Sequence, residues 1–84
     1  MSAKELIDGV RATLETEGFQ MKMAVGRDQI ARVCYGMTYS PVIAAERAGK
    51  LPKPQIDEAG LMDLAARFGS DKAALVRKVV ADRI

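Results

Sequence analysis

The chain contains no histidine and no tryptophan, a single cysteine (Cys34), and only two Phe and two Tyr. Without histidine it lacks the commonest metal ligand and the commonest acid/base group at neutral pH. One thiol permits no internal disulfide, and Cys34, beside Val33, is expected to be a small buried hydrophobe and not a redox sensor. The carboxylates are dispersed, so no catalytic pair or metal-ligating set is visible. The expectation is a protein that is not an enzyme and has no cofactor and no metal. No apolar run approaches the roughly 20 residues that span a bilayer. The N-terminus is amphipathic where a signal peptide would carry a basic segment and an apolar block. The chain is therefore expected to stay in the cytoplasm, with no membrane partner and no small-molecule ligand evident. Few aromatics beside 49% apolar and 29% charged residues point to an Ala/Leu/Val/Ile helical core and away from a sandwich or barrel. Eighty-four residues leave room for one domain with one small core.

The net charge of +2 predicts no partner by itself, but its distribution is uneven. From Met1 to Met21 there are two basic residues (Lys4, Arg11) against four acidic ones (Glu5, Asp8, Glu15, Glu17). From Lys22 to Gln55 six basic residues (Lys22, Arg27, Arg32, Arg47, Lys50, Lys53) face only two acidic ones (Asp28, Glu46). The remainder is balanced. A surface facing phosphates would belong to the middle third.

The hydrophobic pattern reads as an all-α fold with one short β segment left open. Ser2 with Glu5 forms a capping box, and Ala3, Leu6, Ile7, Val10 and Leu14 follow at helical spacing until Gly18. Phe19, Met21 and Met23 alternate with more polar neighbours, which fits either a short strand or a connector between helices. After Gly26 a short helix carries Ile30, Val33 and Cys34 and ends at Gly36. A break over Met37–Pro41 follows, with Thr38 or Ser40 as the cap of the next helix, which runs to Ala48 with Gly49 as its stop. Two short helices joined by a few-residue turn make a helix-turn-helix unit. Lys50-Leu51-Pro52-Lys53-Pro54 is an extended arm, because each proline pushes its predecessor out of the helical region. The rest is a helical pair over residues 57–84: one helix opened by Asp57 or Glu58 and stopped by Gly69, then one capped by Ser70 and apolar over more than half its girth. The organisation is one domain, with an N-terminal helix over residues 1–18 and the helix-turn-helix with its basic arm over 27–54.

Gly36, the Thr38 cap, Gly49 thirteen positions on and the Lys50–Pro54 arm resemble the recognition-helix region of AlpA-like and excisionase-like prophage regulators, which are related to the MerR group. The resemblance covers about a quarter of the chain. It departs from the family pattern in three places: Gly36 stands one position further from Ala31, Glu46 occupies a position normally apolar and buried, and the β-hairpin wing after the second proline is reduced or absent. The resemblance implies a phage or mobile-element regulator that binds double-stranded DNA in sequence-specific fashion, as a transcriptional repressor or an excision-type architectural factor.

If Pro41–Ala48 enters the major groove, Val42 and Ala45 face the first helix, and Tyr39, Ser40, Ile43, Ala44 and Arg47 face the base edges. Arg27, Arg32, Thr38, Lys50 and Lys53 are the candidate phosphate contacts. The wide apolar face of Leu75, Val76, Val79, Val80 and Ile84 is the candidate homodimer interface. The alternative reading is a small phage or plasmid interaction protein that inhibits a host protein without touching nucleic acid, gripping it with Phe19, Met21, Met23 and the C-terminal helix.

Overall fold

Apolar residues recurring three and four apart produce five helices in the computed structural model, which describes all 84 residues and contains no strand. They are α1 (Ala3–Thr16), α2 (Met23–Tyr35), α3 (Tyr39–Arg47), α4 (Glu58–Phe68) and α5 (Ser70–Arg83). The capping box at the start of α1 is formed: Ser2 Oγ accepts from the Glu5 N–H at 3.1 Å, and Glu5 Oε1 accepts from the Ser2 N–H at 3.2 Å. The hydrogen bonds from Ser2 hold the Glu5 carboxyl below its ordinary range.

The extended segment at Phe19–Met23 is absent. The Phe19 N–H donates to the Leu14 carbonyl at 2.8 Å to close α1, and its ring packs edge-on against Phe68 with centroids 5.3 Å apart. Phe19 is buried, Met21 is half-buried against the core, and only Met23 of the three is well exposed. Helix α2 begins at Met23, ahead of the expected start at residue 27, and Gly26 lies buried inside it against the side chain of Arg11. A glycine that serves close packing reads like a boundary between elements in sequence.

Helices α2 and α3, joined by the turn Gly36–Thr38, form the helix-turn-helix. Gly36 has φ +73°, and a Cβ there would meet Asp57 Oδ2 at 2.6 Å, so both backbone and surroundings require glycine. Val42 is the one fully buried residue of α3. Residues 51–57 follow as irregular chain in place of a wing. This arm is fastened to the end of α2: the Gln55 N–H donates to the Cys34 carbonyl at 3.0 Å and the Asp57 N–H to the Val33 carbonyl at 2.8 Å. Helix α4 is capped by Asp57, whose Oδ1 accepts from the Gly60 N–H at 2.9 Å. Ser70 is the first residue of α5 and not its cap; Gly69 holds the cap position.

One core of 16 buried side chains draws on all five helices. Val76, Val79 and Val80, expected at a dimer interface, are buried in this core within the single chain. Helix α5 packs on α4, α1 and α2, and the width of its apolar face follows from having three neighbours. Leu75 is half-buried against the same core, and only Ile84 of the five is exposed. No helix is long and apolar enough to cross a membrane.

Candidate functional site

Helix α3 presents one face to the core through Val42 and one to solvent. Tyr39, Ser40, Ile43, Ala44 and Arg47 together line a shallow surface depression of about 280 Å³. Ser40, Ala44 and Arg47 are exposed, Tyr39 and Ile43 half-buried. The face thus carries a phenol and a hydroxyl at its N-terminal end, methyl groups in the middle and a guanidinium at its C-terminal end. All five residues expected to face outward share this surface, and Ala45 is half-buried beside the buried Val42.

The end of α3 sets the direction of the arm. Gly49, at φ +71°, donates to the Glu46 carbonyl at 3.0 Å, and the Lys50 N–H donates to the Ala45 carbonyl at 2.9 Å, which is a Schellman closure. Lys50 and Lys53 leave from this point as exposed side chains. Neither they nor Arg47 takes part in any ion pair of the molecule.

Three carboxylates of α2, α3 and the arm are turned onto backbone N–H groups. Asp28 Oδ1 accepts from the Tyr39 N–H at 2.9 Å and so caps α3 from α2. Thr38 stands at the cap position, yet its side chain makes no capping hydrogen bond. Glu46 Oε2 accepts from the Ala3 N–H at 2.6 Å, binding α3 to the first turn of α1. That contact explains a half-buried carboxylate where an apolar residue was expected, since the positive end of α1 stabilises it. With Asp57 capping α4, the acids of this region each face a helix N-terminus while the cations face solvent.

Two of the expected phosphate contacts are otherwise engaged. Arg27 donates to both carboxylate oxygens of Asp8 at 3.1 Å each, and its Cζ lies 4.9 Å from the centre of the Tyr39 ring. Hydrogen bonding to Arg27, before any charge effect of Lys4 and Arg11, holds the Asp8 carboxyl below its ordinary range. Arg32 pairs with Asp63 on α4 at 3.4 Å. Both arginines thus tie helices together, through partners 19 and 31 residues distant in sequence. No periodicity or spacing signals such pairs.

Cys34 is fully buried, and desolvation pushes its thiol up to about 12, so it is an inert core side chain. No three His, Cys, Asp or Glu side chains come together in a metal-ligating group. No protein family, curated protein or solved structure matches this chain. The resemblance to prophage regulators accordingly rests on Gly36–Pro54 alone.

Proposed function

We propose that the chain is a sequence-specific regulator of phage or mobile-element type that binds double-stranded DNA through α3 and the arm behind it, as a transcriptional repressor or an excision-type factor. The observation that carries this reading is the charge layout. Arg47, Lys50 and Lys53 are exposed and unpaired, next to the outward face of the second helix of a helix-turn-helix, while Asp28, Glu46 and Asp57 are engaged by helix N-termini. A surface of this kind neutralises phosphates with its lysines and presents a planar guanidinium to a guanine edge, a contact worth roughly 1–3 kcal/mol of discrimination. Thr38, with its hydroxyl not used in capping, is a further phosphate contact at the start of α3.

Three free cations on this surface give weak binding, so two copies on a repeated site supply the affinity. The contact between those copies would not run through Val76, Val79 or Val80, which the core already buries.

Selection from a random duplex library, followed by fluorescence anisotropy on the enriched sequence, tests the reading. Arg47→Ala should relax preference at one base position, and Lys50→Ala should weaken all sequences alike. Failure to enrich any sequence, or equal small effects of both substitutions, contradicts it.

A further inference from the structure

Consecutive residues of α2 hold the first residue of α3 by both its backbone and its ring. Asp28 accepts the Tyr39 N–H at 2.9 Å, and the guanidinium of Arg27 lies over the Tyr39 ring at 4.9 Å. Arg27 is itself fixed from behind by Asp8 on α1, which accepts two parallel N–H bonds at 3.1 Å each. Asp8 is also approached by Lys4 at 3.7 Å and Arg11 at 3.5 Å, and hydrogen bonding to Arg27 holds its carboxyl below the ordinary range, so it is an anion at neutral pH. A doubly hydrogen-bonded guanidinium is a flat plate of fixed orientation, and a ring lying against it loses freedom to swing.

We infer that Arg27, anchored by Asp8, is a positioning residue that sets the Tyr39 ring for base recognition, and is not itself a phosphate contact. This rests on the DNA-binding reading above. Tyr39 stands at the N-terminal end of α3, where the recognition helix of a helix-turn-helix meets base edges. Its phenolic hydroxyl both donates and accepts, so its value for discrimination depends on where the ring points. Lysine would keep the charge at position 27 but has no planar face to stack.

The test compares binding of the selected duplex and a scrambled one across a salt series. Arg27→Gln should lower the ratio of specific to non-specific affinity about tenfold while the salt slope stays that of the unmodified protein. Asp8→Asn, which releases Arg27, should lower the same ratio. In a Tyr39→Ala background Arg27→Gln should have no further effect on the ratio, a silence that a merely structural role would not produce. If Arg27→Gln does not fold, Arg27→Lys, which retains the Asp8 pair and loses the flat face, reads the same ratio. A slope shallower by about 0.9 in Arg27→Gln with the ratio intact, or tighter binding to both duplexes in Asp8→Asn, would mark Arg27 as a phosphate contact and overturn the inference while leaving the DNA reading in place. An unmodified protein that binds no duplex at any salt overturns both.

Discussion

Helices α2 and α4 approach each other at Gly60, and replacing that residue by alanine measures how close the approach is. An alanine Cβ would lie 3.0 Å from the Val33 nitrogen and 2.6 Å from the Arg32 carbonyl carbon, with the Arg32 carbonyl oxygen nearer still. These are backbone atoms, so no side chain can turn aside and the two helices must separate. Overpacking of this kind costs about 1–3 kcal/mol, and clashes on backbone belong at the upper end. Gly→Ala inside a helix otherwise contributes about 1 kcal/mol of stabilisation, which leaves a net loss of about 1–2 kcal/mol. A chain of this size has about 4–12 kcal/mol of total stability, so the loss is a substantial share. Urea unfolding followed by far-UV circular dichroism should show a midpoint lower by about 1–2 M with the slope unchanged, for an m value near 1 kcal/mol/M. Separation of α4 from α2 also strains the Asp57-to-Val33 and Gln55-to-Cys34 hydrogen bonds that fasten the arm, so proteolytic cleavage between Lys50 and Gln55 should quicken. A Gly60→Ala protein more stable than the parent by about 1 kcal/mol would show helix propensity acting alone and refute the close approach.

Val80→Ala should cost about 1–3 kcal/mol at every protein concentration, because Val80 is fully buried within one chain; a loss that depends on concentration would restore α5 as a subunit interface. The Asp8 carboxyl is depressed in the folded state, so its contribution is present above its unfolded pKa near 4 and disappears as pH falls through the lower folded value. Stability measured from pH 5 to pH 2 should therefore fall less steeply in Asp8→Asn than in the parent, and parallel curves would contradict the Arg27 pairing. Cys34 ionises near 12 when folded but near 9 when exposed, so folding loses stability as pH rises above about 9. Its thiol should react with Ellman's reagent only at the rate of unfolding, and rapid labelling of the native protein would show it to be accessible.

Elements marked by local chemistry were legible from sequence. Ser2 with Glu5, Gly36 and Gly49 each impose a start or a stop through groups within a few residues, and the outward set from Tyr39 to Arg47 follows from helical period alone. What escaped sequence reading depends on partners far along the chain. Arg27 looks like a free cation until Asp8 is brought beside it, and Asp28 looks like a counter-charge until the Tyr39 N–H arrives. Glu46 reads as a misfit until α1 offers its N-terminus. Lys22, which precedes α2, makes no side-chain capping hydrogen bond, so the true start of that helix left no mark, and buried Gly26 read as the boundary ahead of it. The excess apolar width of α5 was visible, but only the packing of α4, α1 and α2 around it tells core from interface.

The central claim is that the free cations of α3 and its arm meet a polyanionic duplex. The most direct measurement is the dependence of duplex affinity on salt between 50 and 200 mM. With Lys50 and Lys53 as the exposed, unpaired cations that meet phosphates, log K against log salt should fall with a slope of about −1.8 per copy, roughly 12-fold across this range. Lys50→Ala should make that slope shallower by about 0.9. An affinity that does not change with salt, or a slope that Lys50→Ala leaves unaltered, would contradict the account.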